Sequence, residues 1–399
     1  MPPFSTVATA NYIYKNKYSS GLVDVGRKKH VLMSLMEKKA NPDDLTGNGL
    51  FYPIATANAP GTGPTIAAAQ ANCDSSSGSQ FQAVMRLKYG VVQIGGPAIA
   101  ASKNNEAAFI KIVTRETDSV QNQMLADHAF DLYRTGIGLR GQISAIAGNL
   151  VTLVNPDDVR FFSLKSTVSA ATVADGTGAR VGTAKITNIS RGAGTITFPV
   201  ASIAALAVND FLFASINGME GLQAINPLVS PSATLFRGID RTQDIELLSG
   251  SRLVNTVGNT EDNLISLATN INAYGGAVDV GVLQPQIWSA IAKRMMSKVE
   301  TYVPADGTAT YGFQYLTLQT SSGMVKLFAD PDALSVEARL LQLDTIEVAS
   351  ADDFIHATLE DGGTYALRMP TDDGVECRWA SYLNLIARDT RNLGVTQTS

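Results

Sequence analysis

Between Leu45 and Met85 the chain carries a single charged side chain, Asp74. The same stretch holds Pro53, Pro60 and Pro64, five glycines (Gly47, Gly49, Gly61, Gly63, Gly78) and the run CDSSSGSQ. So long a stretch without regular structure is rare in a compact domain and is usually functional or disordered. Disordered segments keep themselves solvated with charge, and this one does not. The expectation is a two-stranded extended loop that projects from its subunit and lies on a neighbour. The shortage of charge is general: Asp, Glu, Lys and Arg make up 17% of the 399 residues, against roughly 25% in ordinary soluble proteins. A folded chain so short of charge has either a quiet surface or extensive subunit contacts. The net charge of −5 argues against a globally basic nucleic-acid binder and leaves room for a local basic patch.

Such a patch stands at the start of the chain. Residues 1–46 hold seven basic side chains against four acidic ones, a local balance of +3, with Arg27, Lys28 and Lys29 in one run. This run is either a solvated face or a contact surface for acidic material. VLMSLMEKK (residues 31–39) has helical spacing at Val31, Leu32, Leu35 and Met36, which predicts an extended arm interrupted by one short amphipathic helix. The N-terminus lacks the basic start and apolar core of a signal peptide. FQAVMRLKYGVVQI (81–94) alternates and predicts strands. Residues 104–134 place Phe109, Val113, Val120, Met124 and Leu132 near one helical stripe. Asn104 or Asn105 would cap the start and Gly136 follows the end, so the reading is one long spine helix.

Residues 150–216 change character: short β-rich runs broken by Asn-Pro, Asp-Gly and Arg-Gly turns predict an all-β module of five or six strands. The uncharged run between Arg191 and Asp210 fits a strand and a short turn better than a membrane span. Residues 261–273 and 284–298 predict helices with the apolar run AVDVGVL between them, an α/β unit. Strands are expected at 313–319 and 324–329. Residues 342–376 hold nine acids against Arg368, and VECRWASYLNLIA (375–387) predicts a strand whose alternation fails past Ala380.

Catalytic patterns are missing. The chain has no G-x-S-x-G, no H-E-x-x-H and no P-loop. GTGARVG (176–182) has the wrong glycine spacing for a phosphate loop and no expected helix after it. Cys73 and Cys377 form no disulfide framework, and His30, His128 and His356 share no metal-ligand spacing. His356 and Glu360 are four apart but lack a third ligand. Asp157-Asp158, Asp352-Asp353 and Asp372-Asp373 read as solvated loop acids rather than a glycosidase pair. Trp288, Met295 and Met296 read as core. No catalytic residue, cofactor site or metal site is expected.

The order of segments resembles the tailed-bacteriophage major capsid proteins of the Hong Kong 97-like fold, over most of the chain. DVGRKKHVLMSLMEKK resembles the family's N-terminal segment, and the uncharged loop with FQAVMRLKYGVVQIGG its extended loop and return strand. EAAFIKIVTRETDSVQNQMLADHAFDLYRTGIGLRGQIS is similar to its spine helix. GLQAINP and FRGIDRT resemble the approach to the axial domain, NLISLATNINAYGGAVDVGVLQPQIWSAIAKRM its helix–strand–helix, and FADPDAL and DTIEVASADDF the return to the peripheral domain. The implied α+β organisation is an arm (1–46), the extended loop with flanking strands (47–100), the spine segment (101–149), an inserted β-rich domain (150–216) lying beyond the minimal fold, a connection (217–257), an axial domain (258–345) and return strands (346–399). The N-terminal segment is too short for a built-in scaffolding region, and no lysine lies between Leu45 and Met85, so the covalent cross-link of one branch is not carried over.

The resemblance implies a chain that assembles with copies of itself, as pentamers and hexamers, into an icosahedral head around double-stranded DNA. It implies a portal protein as partner, scaffolding and decoration proteins as further candidates, and no membrane. The location would be the virion, with assembly in the host bacterial cytoplasm. Arg27, Lys28 and Lys29 would then face inward toward scaffold or DNA. The loop 301–312, with Asp306, Gly307 and Gly312, would lie near a symmetry axis. Two other classes compete: a β-rich tail or adhesin module, and a hydrolase using scattered acids.

Overall fold

The computed structural model describes residues 30–40, 50–97, 112–134, 136, 138–214, 228, 235–242, 244–254, 258–296, 316–350, 354–358, 366–369 and 373–397. They divide into two compact units: Tyr89–Leu125 and Ile355–Ala380 contribute to the smaller, and Lys29–Lys88, Ala126–Phe354 and Ser381–Ser399 to the larger.

The strand Arg86–Gly95, which enters the smaller unit at Tyr89, alternates as expected, with Gly90, Val92 and Ile94 inward. It pairs with the first half of the long strand Gly374–Ala387, as do the short strands His356–Ala357 and Ala366–Arg368. Val92, Ile94 and Cys377 form a small core with Val120 and Val375. Gly90 permits this packing. A Cβ there would stand 2.5 Å from Val120 Cγ1 and 2.6 Å from Met124 Sδ, well inside van der Waals contact. His356 stands in a strand, so its four-residue offset from Glu360 brings no helical face together.

The expected spine is described as the helix Ile112–Asp131; residues 104–111 lie outside the described residues. It ends three residues before Arg134, earlier than the periodicity suggests. Tyr133 and Arg134 bond to carbonyls only three residues back, a tightening typical of a last turn.

The larger unit contains an α/β sheet in the order 251–253, 393–397, 337–341, 280–283, 323–329, 316–320. Val280–Leu283 and Glu337–Leu341 are buried along their whole length, as strands covered on both faces must be. The expected helices are Thr260–Ala273 and Pro285–Met296. Leu264, Leu267, Ile271 and Ile291 form the core with Val325, Leu327 and Leu340, and Ile287, Trp288 and Met295 pack on its margin. Arg294, near the end of the second helix, meets Glu261 at 2.9 Å and Asn259 Oδ1 at 2.8 Å at the start of the first. Two assignments change. Leu393–Gln397, read with the return strands 346–399, and Ser251–Leu253, read as connection, are strands of this sheet. Each is too short to show a periodicity of its own.

The β-rich region forms a seven-stranded sheet in the order 184–185, 167–171, 211–213, 139–147, 150–153, 195–197, 188–190. Its two outermost strands are two residues apart in the chain. Residue 186 bonds toward 165–166 on one side, and Thr187 toward Thr197 on the other. The sheet therefore closes into a small barrel and has no free edge. Ile143, Val151, Leu153, Ile196, Phe198 and Leu212 lie among its buried core. The module thus begins at Leu139, not at 150: the strand Leu139–Ala147, read as part of the spine segment, occupies the middle of the sheet. Residues 176–182 run as turns and bridges with no helix after them, and 195–202 form a strand and a 3-10 turn.

The arm helix is shorter than expected, Val31–Leu35. Met36 is extended, and Glu37–Ala40 pairs in parallel with Glu347–Ser350. Backbone bonding to a strand outweighs the helical spacing there. Ile346–Ser350 pairs in turn with Leu383–Ala387. Both of these strands are buried on both faces, which is why the alternation of the last strand fails past Ala380.

Candidate assembly surface

The loop 45–85 forms an antiparallel hairpin, Leu50–Ala57 with Ser77–Ala83, registered from Leu50↔Ala83 to Ala57↔Ser77 with one irregularity at Ala55–Ala57. Burial alternates along Leu50–Ala57, but side chains are buried only near the root, where Leu50 and Ala83 pack with Ala349 and Ile386 and Phe81 packs by Phe236. Tyr52 reaches Glu347 from its hydroxyl at 3.4 Å. From Ala57 to Gly78 every residue except Ala68 and Ala69 is exposed. This part carries a short helix, Ile66–Ala71, capped by Thr65 Oγ1, which accepts from Ala68 N at 3.2 Å. Ile66 is 79% exposed. The rest of this exposed surface is small or polar, with Asp74 its one charge.

Below the hairpin, the arm helix and the α/β sheet are joined by buried polar chemistry drawn from segments far apart in sequence. His30 Nδ1 lies 2.6 Å from Asp332, Leu32 N donates to Asp330 at 2.8 Å, and Tyr133 Oη donates to the same Asp330 oxygen at 2.7 Å. Arg339 donates to Tyr133 O at 2.5 Å and to Glu337 at 2.8 Å, and Glu337 also meets Arg252 at 3.0 Å. Burial, then the charge of Asp332, raises the Asp330 carboxyl above its ordinary range. Burial, then the charge of Asp330, pushes the Tyr133 phenol well up. His30, Tyr133, Asp330 and Asp332 are all buried, so this constellation ties the arm helix, the helix exit and the α/β sheet together and presents no group to a substrate.

A second network surrounds the spine exit. Asp127 meets Lys88 at 2.9 Å and Arg140 at 3.0 Å, and Arg140 lies 4.6 Å over Phe130. Arg134 meets Asp158 at 3.0 Å. Asp157 accepts from Gln284, so this acid pair is half-buried and bonded rather than solvated in a loop. Burial raises the Asp158 carboxyl, with Arg134 opposing. His128 bonds Ser381 at 2.6 Å; burial, then the charge of Lys88, lowers its pKa to about 3.

Arg27, Lys28 and Lys29 lie outside the described residues, as do Asp306, Gly307 and Gly312. Among the described residues no cluster of three His, Cys, Asp or Glu side chains could hold a metal. No described helix is long and apolar enough to cross a membrane. The polar networks escaped the sequence reading because their members are separated by up to about three hundred positions and follow no periodicity.

The sequence matches no known family description and no curated protein. The fold does have solved counterparts. It is similar to the capsid asymmetric unit of cyanophage A-1(L), at a TM-score of 0.58 and 14% identity over 98% of each chain. It is also similar to the capsid of the native GTA particle, at 0.53 and 8% over 100% of each chain, and to that of the empty GTA particle, at 0.50 and 8% over 99% and 98%. The chain has the fold of these capsid subunits.

Proposed function

We propose that this chain is the major capsid protein of a tailed bacteriophage, a structural rather than catalytic protein that builds an icosahedral head around double-stranded DNA. The observation that carries the reading is the hairpin 50–83, ordered and almost uncharged, with an exposed apolar helix at its end. Its burial against a second copy is the event that gives such a surface a purpose. The whole-chain likeness to capsid subunits supports the same reading over a tail or adhesin module.

In this reading the fold is Hong Kong 97-like. The hairpin is the extended loop, the helix 112–131 belongs to the spine, the α/β unit is the axial domain, and the barrel 139–214 is an insertion outside the assembly core. Arg27, Lys28 and Lys29 face inward and make non-specific phosphate or scaffold contacts that weaken steeply with salt. The loop around Asp306, Gly307 and Gly312 lies near a symmetry axis, where one sequence packs in both pentamers and hexamers. Portal, scaffolding and decoration proteins are the further partners, and the virion, assembled in the host bacterial cytoplasm, is the location. Size-exclusion chromatography with negative-stain microscopy of the expressed chain tests the proposal. Closed shells or capsomers are expected; a stable monomer, or fibres alone, would refute it.

A further inference from the structure

At the hairpin root three arginines gather. Arg241 is fully buried, lies 4.1 Å over the Phe236 ring and donates to Leu228 O at 3.3 Å. Arg237 lies 5.2 Å from the centre of Phe81 and 5.4 Å from that of Phe236, and its Nη1 donates to Leu385 O at 2.8 Å. Its Nε and Nη2 are buried without a hydrogen-bond partner, and so is Nε of half-buried Arg86. Burial, then repulsion from Arg86 and Arg241, lowers the Arg237 pKa to about 9, with no carboxylate opposing. The backbone also works against the residue type: Arg237 has φ +51°, a conformation that disfavours any side chain. Other arginines beside the hairpin are already matched, Arg388 with Glu347 at 3.2 Å and Arg391 with Asp389 at 2.7 Å.

A guanidinium fork with unmade bonds fits a carboxylate. The opposite end of the same hairpin supplies one. Asp74 is the only charge between Leu45 and Met85. It is exposed, and the hydrogen bond it accepts comes from the neighbouring Ser75 N at 2.7 Å. Strand Leu50–Ala57 has eight residues, about 26 Å at roughly 3.3 Å per residue, so the tip and root of one hairpin stand apart. Two copies arranged head to tail bring them together, and such a heterologous contact repeats around a ring.

We propose that Asp74 at the hairpin tip of one copy docks on the Arg86–Arg237 pair at the hairpin root of a second copy. The inference rests on the self-assembly reading above. Native Cys73 adjoins Asp74 and is exposed, whereas Cys377 is buried, so the chain carries its own reporter. In shells of the Arg86→Cys variant, mild oxidation should join copies through Cys73 into a ladder on a non-reducing gel, and Cys73→Ser should abolish it. Asp74→Arg and Arg86→Asp should each lower the assembled fraction by about tenfold or more, and the double swap should restore it to within about threefold, as direct charge pairs behave. If the wild-type chain forms shells while the Arg86→Cys variant gives no ladder and the double swap gives no rescue, this pairing is overturned and the assembly reading is left intact. A wild-type chain that forms no capsomers or shells would overturn both.

Discussion

The hairpin 50–83 and the barrel 139–214 are both antiparallel β-structures, and they solve the problem of their surfaces in opposite ways. The barrel closes its edges along the run 184–190, through the strands 184–185 and 188–190, and buries Ile143, Ile196, Phe198 and Leu212 among its core. The hairpin buries its root and leaves residues 57–78 almost wholly exposed, with no core of their own and one charge, Asp74. A two-stranded hairpin alone is marginal in water; this one is anchored at its root on Ala349 and Ile386, and in the proposed assembly a second copy covers the rest. The contrast separates what folding completes from what assembly completes.

The sharpest way to break that contrast is to damage the barrel core. Phe198 is fully buried, and Phe198→Ala should cost about 3–5 kcal/mol in the isolated subunit, read from urea denaturation. A loss under 1 kcal/mol would mean that the barrel interior is not the packed core described. Acid should destabilise the spine exit, where His128 bonds Ser381. His128, with a pKa near 3, stays neutral in the folded chain while the unfolded chain takes up a proton below about pH 6.5. Above that pH neither state is protonated and there is no effect. Between pH 6.5 and about 3 subunit stability should fall by about 1.4 kcal/mol per pH unit from this group. His128→Gln should flatten that slope, and an unchanged slope would assign the acid loss to other groups.

Turn strain gives a smaller effect. Gly148 joins the strands 139–147 and 150–153 with φ +61° and open space around its Cα, so Gly148→Ala should cost about 1 kcal/mol from backbone strain alone. The hairpin should give the smallest effect on subunit stability. Ile66→Ser should change it by less than about 0.5 kcal/mol and yet lower the yield of shells. A larger loss in the free subunit would show that the tip packs on its own chain.

The sequence made these two regions unequally legible. The hairpin was visible because its signal is local: one charge in a long run, with prolines and glycines. The helices around Leu264 and Ile291 were visible from their 3.6-residue spacing, and the strand 374–387 from the alternation of Val375, Cys377 and Trp379. The barrel's closure was not. It depends on strand Leu139–Ala147, which follows directly on the spine exit, and on strands of two or three residues such as Ala184–Lys185. Nor was the arginine group at the hairpin root, since Arg86, Arg237 and Arg241 come together only through tertiary packing and Phe236–Arg237 sits in a hairpin too short to carry a pattern.

Hydrogen exchange measured on the free subunit and on the assembled particle tests the central claim most directly. Amides of 57–78 should exchange rapidly in the free subunit and become protected in the particle, while those of Ile143, Val151 and Ile196 in the barrel stay protected in both. Equal exchange of the hairpin in the two states would contradict the account.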